Sequence, residues 1–206
     1  MIIELLDELK RLKSIADVGL LYASNEYEKE RYIELQDISV KLLHKATGQS
    51  IETIKQAFPP AHDYPTAKVD IRALVVSDEQ KILLVKESSD EKWSLPGGWA
   101  DVGYSPKEVA IKECKEETGL DVVPQTLLAV FDKRLHAHPP QPEYVYKMVF
   151  YCKAISTNII KGFDVLDVQY FDVGELPALS ENRILKSQVE MLYAKVMSAN
   201  FETYFD

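Results

Sequence analysis

The 206-residue sequence has only two cysteines, Cys114 and Cys152, too few for a disulfide framework, so a reducing cytoplasm is the expected compartment. Basic residues are in the minority. Lys and Arg number 24 against 33 Asp and Glu, and the resulting net charge of -9 argues against a broad nucleic-acid-binding face or an anionic-membrane surface. Any phosphate-bearing partner then needs local charge compensation. Long apolar runs are also missing. The N-terminal MIIELLDELKRLK carries charges from its fourth position, so it has no signal-peptide core, and no uncharged run reaches membrane-spanning length. The expectation is a protein that neither crosses a membrane nor is secreted. What is present, 46% hydrophobic and 28% charged residues, is the balance of a globular protein, and the length suits one domain with a small appendage.

Ile2, Leu5, Leu6, Leu9, Leu12, Ile15 and Ala16 recur at three- and four-residue steps, which predicts an amphipathic helix. Gly19 and the polar Ser24 and Asn25 are expected to interrupt it, and Tyr32, Leu35, Ile38, Leu42 and Leu43 repeat the pattern in a second helix. A short third helix is expected over 50–58. Pro59, Pro60 and Pro65 then form a helix-stopping linker, which divides a helical N-terminal domain, residues 1–60, from a second domain, residues 66–206.

Beyond the linker the pattern changes to short apolar runs rich in β-branched residues. VDIRALVV at 69–76 and KILLVKE at 81–87 read as strands joined by a turn at 77–80, with further strands over 126–131, 144–154 and 167–172. Helical patterns cover 105–118 and 187–197. The fold class is therefore α/β, and the sheet is expected to be mixed, because the first two strands are too closely linked for a crossover.

The stretch that carries chemistry is LPGGWADVGYSPKEVAIKECKEETGL, residues 95–120. The Gly97-Gly98 pair permits backbone conformations and close approaches that a side chain would block, in a tight loop before a helix. Ser105, Pro106 and Glu108 form a capping-box start and Gly119 is the expected terminator. On that helix Glu113, Glu116 and Glu117 stand at i, i+3 and i+4, so three carboxylates share one face while Ala110, Ile111 and Cys114 turn to the core. Their mutual repulsion calls for a cation. Lys112 and Lys115 can supply part of it, but a hard divalent ion, Mg²⁺ or Mn²⁺, suits three oxygen donors better. A solvated acidic helix face is the plain alternative.

With the glycine pair at its fixed distance, these residues resemble the signature of the Nudix hydrolases: Gly98, Glu113, Cys114, Glu116, Glu117, Gly119 and Leu120 fall in register. Two positions depart, Tyr104 standing where the family has a Glu and Lys112 where it has an Arg. Lys keeps the charge but not the planar fork. The resemblance implies an α/β/α sandwich with a mixed sheet following the small all-helical N-terminal domain. It further implies a metal-dependent pyrophosphohydrolase in which Glu113, Glu116 and Glu117 hold the metal and water attacks one phosphorus of a diphosphate. Gly97, Gly98, Lys112 and Gly119 are its structural positions. The helical N-terminal piece, with YEKERYIEL at 27–35, and the segments VDIRALV and LPGGWADVGYSP resemble a bacterial subgroup acting on nucleoside diphosphates linked to another group, typically ADP-ribose and CDP-choline.

Three residues are candidates for substrate binding. Arg72 shares a strand face with Asp70 and can reach a phosphate or form a structural pair. Trp99, beside the glycine pair, can stack on a base, whereas packing suits Trp93. Glu143 lies in the long segment 133–144, KRLHAHPPQPEY, where it or a histidine is a candidate general base. His136 and His138 alone fall short of a metal site. The expected partner is a small-molecule nucleoside diphosphate derivative, with no nucleic acid and no membrane. The N-terminal helices can serve as a homodimer interface, a wall of the substrate site or a protein-docking surface, and dimerisation is favoured. The rival reading is a non-catalytic nucleotide-binding or regulatory module. Retention of all three helix glutamates speaks for the enzyme.

Overall fold

Helix α1 (Ile2–Leu21) runs straight through Gly19, which does not end it. The chain breaks later, and Asn25 caps α2 (Glu26–Thr47) by accepting a hydrogen bond from the Glu28 N–H. Gly19 serves packing instead: a Cβ there would fall 2.1 Å from the Tyr32 ring of α2, so glycine lets the two helices approach. The computed structural model describes residues 2–59 and 63–206, with side chains from residue 5 onward; Pro60 of the expected linker lies outside them. Helix α3 (Ile51–Ala57) starts at the Ser50 cap. Leu9, Val40, Leu43 and Ile54 form the core of the helical unit, and a bridge from Lys13 to Asp17, which also accepts from Gln36 at 2.6 Å, ties α1 to α2.

By its contacts the chain divides into two units, Met1–Ala67 with Pro140–Glu143, and Lys68–Pro139 with Tyr144–Asp206. Four residues of the long 133–144 segment thus group with the helices.

The second unit holds two sheets. Strands β1 (Lys68–Val75), β2 (Ile82–Glu87), β3 (Trp93–Ser94) and β4 (Gly97–Trp99) precede helix α4 (Pro106–Thr118). Strands β5 (Val122–Asp132), β6 (Val145–Ala154) and β7 (Val165–Phe171), helix α5 (Lys186–Met197) and strand β8 (Tyr204–Phe205) follow. One sheet has the order β4-β1-β6-β5-β8 and the other β3-β2-β7. The first is mixed, but not for the expected reason. Strands β1 and β2 belong to different sheets and are linked by the isolated bridge Val76↔Ile82 just past the end of β1, while β1 pairs in parallel with β6 and antiparallel with β4. A short turn shows that two strands are neighbours in sequence and leaves their sheet open. Gly97 and Gly98, expected in a loop, lie in β4, and β8 was not foreseen at all.

Helix α4 packs Val109, Ala110 and Cys114 on one side of the main sheet, with Ile71, Ala73 and Val75. Helix α5 packs Val189, Leu192 and Val196 on the other, with Leu74, Phe131 and Val149. The result is an α/β/α sandwich. Each buried Val, Leu, Ile or Phe side chain among them contributes about 1.5–3 kcal/mol by leaving water.

Candidate active site

The start of α4 is fixed by chemistry local to it. The Ser105 hydroxyl accepts from the Glu108 N–H, the Glu108 carboxylate accepts from the Ser105 N–H at 2.8 Å, and Pro106 opens the first turn. Gly119 closes the helix in the left-handed conformation. With both ends set and Cys114 turned into the core, Glu113, Glu116 and Glu117 are forced toward the β4 side and solvent.

Strand β4 lies tightly against them. Gly97 adopts φ +145°, and a Cβ on it would fall 2.0 Å from the Ile71 carbonyl oxygen, so no other residue fits there. Its N–H donates to Glu117 Oε2 at 2.9 Å. A Cβ on Gly98 would stand 2.9 Å from the Glu113 carboxylate. The glycine pair therefore brings bare backbone against two of the three glutamates.

Glu117 is 5% exposed, and burial pushes its carboxyl up to about 8, against the pull of Arg72 and the Gly97 N–H and with the neighbouring Glu87 and Glu113 charges adding to the rise. Burial likewise raises Glu113, opposed by Lys112. Glu116 is more open, and its Oε2 lies 3.0 Å from Lys112 Nζ, which also lies 3.6 Å from Glu113 and 3.3 Å from Asp101. Lys115 is turned elsewhere, to Asp121 and the Gly119 carbonyl.

Behind β4 lies a buried charged layer. Arg72 Nε donates to Asp70 at 2.8 Å and its Nη1 to the Leu95 carbonyl at 3.0 Å, while Lys147 donates to the other Asp70 oxygen. Burial alone would raise the Asp70 carboxyl, but the Arg72 and Lys147 charges hold it below its usual range. The structural pair of Arg72 with Asp70 is therefore formed. Glu87, at the end of β2, accepts from Ser94 at 2.6 Å and forms an ion pair with Arg183 at 2.8 Å. Glu87, Ser94, Asp101 and Arg183 escaped the sequence reading because each is placed by tertiary contact. The one available signal was a charged residue ending the apolar run of β2.

Trp99, the last residue of β4, is half exposed, with Lys68 Nζ 5.2 Å from its ring centre. Trp93 packs edge-on to Phe171 at 4.7 Å. Tyr104 is exposed at the turn before α4. Glu143 groups with the helical unit. His136 meets Asp206 at 3.0 Å and His138 Nδ1 meets the Glu181 carbonyl at 2.6 Å, so both histidines are engaged in holding loops.

Among the described residues no three acidic, imidazole or thiol side chains already converge on a single point. The donors nonetheless fit a hard divalent ion in kind: all are carboxylate oxygens, and burial raises the Glu117 carboxyl by more than Arg72 and the Gly97 N–H offset. Glu113, Glu116 and Glu117 would hold the ion.

Residues 67–192 match the NUDIX domain, and residues 4–58 match the family described as "UDP-X-like, N-terminal oligomerisation domain". The chain belongs to the Nudix family and is a pyrophosphohydrolase; members of this family generally use divalent metal ions. It is 38% identical over 201 residues to "Putative ADP-ribose pyrophosphatase YjhB" of Bacillus subtilis (strain 168), an alignment covering 98% of this chain and 96% of that protein. It resembles a solved UDP-X diphosphatase with a TM-score of 0.63 and 36% identity, covering 97% of each chain. It also resembles an ADP-ribose pyrophosphatase from Streptococcus suis 89-1591, with a TM-score of 0.59 and 33% identity over 68% of this chain and 100% of that one. No described helix is long and apolar enough to cross a membrane.

Proposed function

We propose that the chain hydrolyses the diphosphate bond of a nucleoside diphosphate joined to a second group, of ADP-ribose or UDP-linked type, with Mg²⁺ or Mn²⁺ as its cation. The products are a nucleoside monophosphate and a phosphorylated second group. The observation that carries this reading is that similarity runs through the helical and Nudix regions together, at 98% and 97% of the chain, to proteins named for such substrates. None of the relatives reported above is named for a cytidine compound, so CDP-choline serves as the contrast.

The residues support the chemistry. A bound divalent ion supplies neutralisation of the diphosphate and of the charge that develops on its oxygens. Glu116 and Glu117 are its leading ligands, and Glu113 is a further ligand or orients water. The bare backbone of β4 lets phosphate oxygens approach closely, and the open face of Trp99 offers a stacking surface for the base. Arg72 acts through the strand and Glu117 rather than by touching substrate. A non-catalytic module has no need to keep three repelling glutamates on one face.

The helical unit is assigned to pairing with a second copy. Ile38 and Leu42, one turn apart on α2, and Ile15 on α1 are exposed apolar side chains, and the matched family is described as an oligomerisation domain. Sedimentation of the full chain should give twice the monomer mass, and Ile38→Glu should lower it.

Incubation with ADP-ribose, with and without Mg²⁺, followed by product chromatography, tests the enzymatic reading. AMP and ribose 5-phosphate are expected only with metal. The intact compound in both arms, for ADP-ribose and for a UDP-linked sugar alike, would refute it.

A further inference from the structure

Lys112 sits where the positive charge of a metal would act. Its ammonium touches two of the three carboxylates assigned to the ion, Glu116 at 3.0 Å and Glu113 at 3.6 Å, and reaches Asp101 of the preceding turn at 3.3 Å. Glu116 is thereby aimed at the lysine, and the acidic groups of α4 do not converge on one point. The other lysine of the stretch, Lys115, takes no part, being held by Asp121 and the Gly119 carbonyl. A lysine and a dication cannot both sit on Glu116 without strong repulsion at such separations.

We infer that Lys112 is a resident counter-cation that competes with the divalent ion for Glu116, and that Asp101 is the anchor that draws Lys112 aside when the ion binds. The inference rests on the metal-binding reading of α4. It gives a physical reason for a turn carboxylate at Asp101 while Tyr104 is exposed: the cation needs a second seat, three residues before the tyrosine. Lys112 and Asp101 are positioning residues. A purely structural clip between turn and helix makes the opposite prediction, since losing it would loosen the carboxylates and weaken metal binding.

The test is a Mn²⁺ titration of the full chain, read from the paramagnetic resonance signal of the free ion, with thermal melting as the check on folding. Lys112→Gln should bind Mn²⁺ about three- to tenfold more tightly than the natural chain, the effect of removing one unit charge near a dication in a solvated site. Lys112→Met, which keeps the apolar stem, should do the same and replaces it if the Gln variant does not fold. Asp101→Asn should bind about two- to fivefold more weakly, and most of that loss should vanish in the Lys112→Gln background, which separates anchoring of the lysine from direct attraction of the ion. Unchanged or weaker binding by a folded Lys112 variant overturns the inference. No saturable binding by the natural chain overturns the metal reading itself and this inference with it, and that result is read before any variant is made.

Discussion

The backbone N–H of Gly97 donates to the Glu117 carboxylate across 2.9 Å, joining strand β4 to the most buried acid of the candidate active site. This bond fixes where Glu117 sits, and burial makes its charge costly until a cation arrives. Position and charge can therefore be varied separately.

Replacing charge comes first. Glu117→Gln keeps an oxygen for the Gly97 N–H and removes the negative ligand, and Glu116→Gln removes one paired with Lys112. Each should lower turnover at saturating substrate by on the order of a hundredfold or more, because the site works chiefly through electrostatics. Melting temperatures should stay close to that of the natural chain. Near-normal turnover in both variants would mean the metal ligands lie elsewhere.

Position is varied through the glycines. In Gly98→Ala the new methyl stands 2.9 Å from a flexible carboxylate, so the fold should survive while Glu113 shifts and activity falls by about tenfold. Gly97→Ala meets the Ile71 carbonyl at 2.0 Å in a backbone conformation that Ala avoids, and should cost roughly 1–3 kcal/mol of stability. Denaturant melts and kcat/KM measured side by side distinguish the two. Equal stability of both variants would contradict the tight seat of β4.

The departures from the family signature make a third case. Lys112 already has a turn carboxylate at Asp101, so Lys112→Arg should leave kcat/KM within about threefold, and Tyr104→Glu should bring no clear gain. A tenfold rise in activity for the pair Tyr104→Glu with Lys112→Arg would show the natural site to be degraded.

How much of this was legible depended on range. The limits of α4 could be read from Ser105, Pro106, Glu108 and Gly119, because caps are chemistry between residues three or four apart. The glutamate face followed from helical spacing alone. Gly19 misled because the Tyr32 ring that demands a glycine there lies on another helix. Strands β1 and β2 looked like a hairpin because alternation and a turn do not say which sheet a strand joins. Arg72 and Asp70 were seen to share a face, but Lys147, which makes their layer a network, comes from β6, and Glu87 and Arg183 meet across most of the second unit.

The pH dependence of stability should carry a signature of His138. Burial pushes its imidazole down to about 4, with the Lys133, Lys147 and His136 charges adding to the fall and the Glu181 carbonyl opposing it. The folded form thus binds its proton less readily than the unfolded chain, with its ordinary value of about 6.5. Between pH 6.5 and 4 the unfolded state holds more protons, so this contribution is complete above pH 6.5 and is lost as the pH falls. Chemical denaturation at several pH values should show His138→Gln losing less stability than the natural chain across that window. Parallel curves would place His138 in a better solvated setting.

The substrate class is tested most directly by kcat/KM for ADP-ribose, a UDP-linked sugar, CDP-choline and a set of deoxynucleoside triphosphates, each with Mg²⁺ at one fixed concentration. A preference of about tenfold or more for a linked diphosphate over every triphosphate is the expected result, because the site must hold a base, a diphosphate and a second group at once. A tenfold preference for any triphosphate would contradict it.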